Sequence, residues 1–226
     1  MILFFHQVWS LLYKDLILEW RSRERLMTMF FFVIVALGVF GLSLQLEPSI
    51  QREILPGVLW ATLSFAGTLG MGQLYAAELE EGVLDGLRMA PIAKEAIFIA
   101  KLTALFIFLV ICALWTVPLA TIMFQVKWSL LFPRIIPIFL LGLWGFAILG
   151  TLMATLLLQS RSHTALLPLL FLPVALPLLI VGAKATTELI SAHAIPQTMF
   201  WLRFMFLFDL LFLIVGLWLF PPQLER

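Results

Sequence analysis

The chain has 226 residues, 63% of them hydrophobic and only 12% charged, and its formal net charge is +1. Soluble domains average about 45–50% apolar and about 25% charged residues, so no water-soluble fold of this length hides so much apolar surface. A charge this close to zero also argues for no nucleic-acid partner. The composition predicts an all-α, polytopic membrane protein.

Residues 2–24 read as an amphipathic helix lying in the membrane interface. Phe5, Val8, Trp9, Leu12, Leu16 and Trp20 form one broad face, and His6, Gln7, Ser10, Lys14 and Arg21 gather on another. Lys14 follows the apolar start rather than preceding it, which is not the order of a cleavable signal peptide. The run Arg21-Ser22-Arg23-Glu24-Arg25 then marks the boundary of the first span.

Six stretches are each long enough, at about 20 apolar residues, to cross roughly 30 Å of hydrocarbon. They are Leu26–Leu46, Ile54–Ala77, Leu102–Phe124, Ile135–Leu158, Ala165–Ala183 and Trp201–Phe220. The organisation is a single helical membrane domain: an interfacial helix at 1–25, two spans within 26–77, a charged segment at 78–101, four spans within 102–220 and a tail at 221–226. Lys184–Phe200, with Glu188, His193 and Pro196, is expected on the outer surface. The fifth span carries Pro168, Pro173 and Pro177 and is expected to be kinked or broken. Gly67, Gly70, Gly142, Gly145 and Gly150 suit close helix packing. Cys112, the single cysteine, reads as a small packing residue.

Nine Lys/Arg fall on the side that holds both termini and the 78–101 segment, and five fall on the other. The positive-inside rule therefore places the termini and that segment in the cytoplasm. If the segment is helical, Leu79, Val83, Leu87 and Ala90 share one face, with Glu78, Glu81, Asp85 and Arg88 roughly opposite. Such a helix lies on the membrane surface or docks into a groove of a partner. Four carboxylates before Pro91 favour a protein groove, because the cytoplasmic leaflet is itself negative.

Little else carries chemistry. There is no phosphate-binding loop, no His-Glu-x-x-His pair and no Gly-x-Ser-x-Gly elbow, so a non-catalytic subunit is expected. Asp209 is the one acidic residue at membrane depth. An intramembrane carboxylate marks a transport role, a contact to Arg203 or a neighbouring subunit, or a protonated acid. Of the three histidines, His193 lies best for haem ligation, outside and beside aromatic residues, but no two of them stand at ligand spacing on one helix. No metal site is expected. A secondary transporter using Asp209 stays open on these residues. So does an exporter permease for a different hydrophobic substrate.

The pattern Glu78-x-Glu80-Glu81-Gly82-x-Leu84-x-x-Leu87-x-x-Ala90-Pro91, after the second of six spans, resembles the coupling segment of type-2 ABC exporter permeases. Within that group the chain resembles the CcmB family of cytochrome c maturation permeases. Lys14-Asp15-Leu16 with Glu19-x-Arg21-x-Arg23-Glu24 carries this, as do Leu55-Pro56-Gly57-Val58-Leu59-Trp60, Gly150-Thr151-Leu152 with Arg161, and Leu167-Pro168-Leu169-Leu170 with Leu172-Pro173. Ala100-Lys101 stands where the pattern has Gly-Lys and a tight turn.

The resemblance implies a bacterial inner-membrane subunit acting with an ABC ATPase, a haem-handling membrane subunit, a small single-span subunit and a periplasmic haem chaperone. Two permease copies are implied, with ATP on the ATPase, haem on the partners and no cofactor on this chain. The implied coupling residues are Glu78, Leu79, Glu80, Glu81, Gly82, Val83, Asp85, Leu87, Arg88 and Pro91.

Overall fold

A computed structural model describes residues 2–43, 48–75, 92–124, 132–157, 163–190 and 195–224. Among them the chain forms α1 (Ile2–Ser22), α2 (Glu24–Ser43), α3 (Pro48–Gly72), α4 (Lys94–Phe124), α5 (Phe132–Leu156), α6 (His163–Ile190) and α7 (Ile195–Leu224), with no strand. Six of these, α2 to α7, are long and apolar enough to cross a bilayer. The protein is a multi-pass helical membrane protein with a further helix at its N-terminus.

Two boundaries differ from the sequence reading. The helix of the third span begins at Lys94, well before Leu102, so Ala100 and Lys101 are buried helical residues and no tight turn forms there. The helix of the fifth span continues through Lys184 and Glu188 to Ile190, so only residues 191–194 separate α6 from α7, a much shorter connection than the expected Lys184–Phe200. Nor does α6 break at its prolines. Each proline deletes one bond to the residue four earlier. A stripe of buried side chains, Leu167, Phe171, Ala175, Leu178, Val181, Ala185 and Leu189, nonetheless runs past all three. This helical period faces α3, α5 and α7, and that packing keeps the helix unbroken.

The core sits where α3 meets α2, α4 and α6, and where α5 meets α4, α6 and α7. α3, α4 and α5 are mostly enclosed, whereas α2 and α7 turn most of their apolar surface outward, as lipid-facing helices do. Trp60 on α3 is the largest enclosed side chain. It stacks on Phe139 at 5.2 Å between centroids, meets Phe146 edge-on at 5.9 Å, and donates its ring N–H to Thr186 Oγ1 at 3.0 Å. It is wedged between Gly142 of α5 and Gly182 of α6, where a Cβ at either position would strike the indole. Cys112 is buried on α4, its Sγ 3.9 Å from Thr116 Oγ1.

α1 does not present the single apolar face that its periodicity suggests. It packs chiefly on α4, with Leu12 buried and Val8 and Leu16 half-buried, while Phe5, Trp9 and Trp20 stay exposed together with Tyr13. His6, Ser10 and Arg21 are exposed on a further flank. One flank thus meets protein, a second is aromatic and suits lipid headgroups, and a third suits water. α1 ends at Arg23, whose φ of 55° is left-handed and whose N–H reaches Glu19 O at 2.7 Å. That single αL residue turns the chain from α1 into α2, the first span.

Candidate coupling site

Residues 76–91, which include Glu78, Leu79, Glu80, Glu81, Gly82, Val83, Asp85, Leu87, Arg88 and Pro91, lie outside the described residues, as does His193. The two roots of that segment are described. α3 ends at Gly72 and continues as a turn, with the Leu74 N–H on Met71 O at 3.0 Å. The chain is described again from Ile92, and α4 starts at Lys94.

Both roots are tied to α1. A helix end leaves carbonyls unpaired and carries partial negative charge, which cations satisfy. Two cations, Lys101 buried and Arg25 mostly enclosed, do so here. Arg25 Nη2 donates to Gln73 O at 2.9 Å, and Lys101 Nζ donates to Leu74 O at 3.1 Å. Each is matched by a carboxylate of α1, and the two carboxylates stand one turn apart on one face. Asp15 pairs with Lys101 at 3.1 Å, and Glu19 with Arg25 at 3.5 Å. Lys14 also reaches Asp15, at 3.2 Å. The faces of Phe108 and Tyr75 complete the two cation sites, 4.7 Å from Arg25 Cζ and 5.0 Å from Lys101 Nζ.

α1 also serves the starts of two helices. Glu19 Oε1 accepts the Leu26 N–H at 3.0 Å, in the first turn of α2, and Gln7 Oε1 accepts the Ala93 N–H at 3.3 Å, just before α4. Arg25 in the first turn of α2 is unfavourable to that helix's dipole, and Glu19 offsets it. The network extends into α5. Thr155 Oγ1 donates to Thr151 O at 2.7 Å, so the Tyr75 hydroxyl, 2.9 Å away, must be the donor to Thr155. One N-terminal helix, α1, therefore holds the start of α2, the end of α3 and the start of α4 together.

Sequence reasoning missed this cluster. It placed Lys101 at a loop boundary and left Asp15 and Glu19 without a role. The local signal was the block Lys14-Asp15-Leu16 and Glu19-x-Arg21-x-Arg23-Glu24, too acidic on its docking flank for a helix that only floats on lipid.

Asp209, the intramembrane candidate, stands apart from this cluster. Its residue is 4% exposed, its carboxylate lies against Gly145 of α5, next to Leu178 of α6, and neither oxygen has a hydrogen-bond partner among the described residues. Arg203 lies exposed on the same helix, and no ion pair joins the two among the described residues. A carboxyl group enclosed by its own chain is also poorly placed for a neighbouring copy. Asp209→Asn keeps the shape that fits the Gly145 notch and removes no ion pair. It is expected to leave membrane levels and transport-dependent activity within about twofold, in line with substitutions that break no partnered contact. Loss of activity with normal membrane levels would favour an ion-coupled secondary transporter. Among the described residues no group of three or more His, Cys, Asp or Glu gathers as a metal site.

Known proteins resemble this chain over most of its length. A profile of the family described as CcmB protein matches residues 6–223, nearly the whole chain. Heme exporter protein B of Rhodobacter capsulatus is 33% identical over 155 residues, covering 69% of this chain and 70% of that protein. The protein of the same name from Paracoccus denitrificans is 29% identical over 191 residues, 84% of this chain and 86% of its own. That of Pseudomonas aeruginosa is 26% identical over 179 residues, 77% and 78% respectively.

Proposed function

The chain belongs to the CcmB protein family, and from that premise we propose that it is the non-catalytic permease subunit of a haem-exporter ABC complex acting in cytochrome c maturation. It sits in the bacterial inner membrane with both termini in the cytoplasm. A separate ATPase subunit binds the segment at Glu78–Pro91. Haem stays on a haem-handling membrane subunit and on the periplasmic chaperone that it loads, with a small single-span subunit and a second permease copy completing the complex.

The observation that supports this reading most is the pair of roots from which the segment departs. A segment that only linked two spans would need no buried ion pairs at its base. Here the end of α3 and the start of α4 are fastened to each other and to α1 by Lys101, Arg25, Asp15 and Glu19. Movement of the segment thereby displaces α3 and α4, and α5 follows through Tyr75 and Thr155. ATP closure of the motor would pull the segment, with Leu79, Val83 and Leu87 anchoring it and Glu78, Glu81 and Asp85 meeting basic residues of the ATPase.

The test is co-purification of the chain with its ATPase subunit, comparing wild type with Glu78, Glu81 and Asp85 all reversed to lysine. The expected result is loss of the ATPase from a complex whose membrane part still folds. Undiminished binding would place the motor's grip elsewhere.

A further inference from the structure

We infer that Lys101 is a positioning residue that joins α1 to the moving base of the coupling segment, so that α1 is part of the drive train. This rests on the coupling reading above and deepens it. The argument begins with where Lys101 stands. It lies on α4, yet its ammonium contacts the two elements that flank it in space rather than water: Asp15 on α1, and the carbonyl of Leu74 just past the end of α3. A lysine side chain 5% exposed and an aspartate side chain 8% exposed are costly to enclose. Apolar residues of similar volume would pack the same place equally well or better. A helix that needed only to adhere to α4 already has Leu12 against Phe108 and Ala104.

What the ion pair adds is direction. An apolar contact slides, whereas one ammonium held by a carboxylate and a carbonyl ties α1, α4 and the end of α3 in register. The base of the segment then cannot shift relative to α1 without breaking a buried charge pair, so the two shift together. α1 runs directly into α2 through the αL residue Arg23. The load therefore passes to the first span as well as to α3 and α4.

Lys101→Met tests this with limited risk to folding, because Asp15 keeps Lys14 at 3.2 Å as a counter-charge. Purified with its ATPase and haem-handling partners, the variant is expected to retain the ATPase and to hydrolyse ATP. The yield of haem-stained c-type cytochrome in the same cells is expected to fall by about tenfold, within the 5–150-fold range of typical coupling energies. A purely structural lysine would lower complex levels and cytochrome in proportion.

If Lys101→Met fails to accumulate, the double variant Asp15→Leu with Lys101→Met decides. It removes both enclosed charges together, so neither is left buried without its partner, and Lys14 is exposed enough to be solvated. Hydrolysis without cytochrome in that variant supports the inference. Full cytochrome yield from either variant overturns it and leaves the coupling reading standing, with the pair as static glue. Absence of the ATPase from the wild-type complex would overturn both.

Discussion

Arg25→Ala is expected to remove most of the folded protein from the membrane. Arg25 is matched to Glu19 at 3.5 Å, gives a hydrogen bond to Gln73 O and lies over Phe108. Alanine leaves the buried Glu19 carboxylate without that cation and a helix-end carbonyl without its donor. Breaking a buried pair from one side costs about 3–5 kcal/mol. Total stabilities are about 5–15 kcal/mol, so the loss is a large fraction of what holds the chain folded. The measurement is the amount of detergent-extracted monodisperse protein and its thermal midpoint. Arg21→Ala, on the exposed flank of α1, serves as the control and is expected to stay within about 0.5 kcal/mol of wild type. Glu19→Leu combined with Arg25→Met is expected to recover much of the loss, since it leaves no orphaned charge. An Arg25→Ala variant as abundant and as thermostable as Arg21→Ala would show that Glu19 is solvated or otherwise paired, and that the three-helix tie is weaker than its geometry implies.

The contrast between Arg25 and Lys101 marks what the sequence made legible. Hydropathy located all six spans, because crossing hydrocarbon demands a run of about 20 apolar residues whatever the partners. It did not extend the third helix back to Lys94 because a lysine ends an apolar run on any scale, and Lys101 is enclosed with an aspartate 86 residues earlier. The face of α1 was blurred for a related reason. In a membrane both protein and lipid are apolar solvents, so periodicity defines one wide arc over Phe5, Val8, Trp9, Leu12, Leu16 and Trp20. Which part of that arc docks is decided by the carboxylates beside it. Asp15 and Glu19 fix the docked edge, and the tryptophans are left for the interface. At the prolines of α6 the helix does not break, because a local rule about lost N–H groups is overridden by a continuous packed stripe. Asp209 was legible as unusual, but only the fold reveals that it faces a glycine of its own chain rather than Arg203.

Gly142→Ala carries the second large effect, and its sign depends on Trp60. In lipid, helices gain little from burying apolar surface against one another, so close packing and the occasional hydrogen bond hold them together. The indole of Trp60 fills the gap between α3, α5 and α6, with its ring N–H bonded to Thr186. A methyl group at 142 would overlap the six-membered ring, and the ring cannot retreat because Gly182 bounds it on the other side. Flexible neighbours such as the Met71 that faces Gly150 can move aside, but a flat ring held between two backbones cannot. Overpacking of this kind typically costs about 1–3 kcal/mol, which for a chain of this size lowers the thermal midpoint by about 2–12 °C. Trp60→Phe alone gives up a buried hydrogen bond worth about 1 kcal/mol and part of the packing. It also vacates the volume that the new methyl group needs. The double variant Gly142→Ala with Trp60→Phe is therefore expected to be more stable than the sum of the two single losses predicts, with a coupling of at least about 0.5 kcal/mol. Strict additivity in thermal melts of the purified chain would mean that α5 shifts away from α3 instead of resisting, and that the Trp60 wedge does not set their spacing.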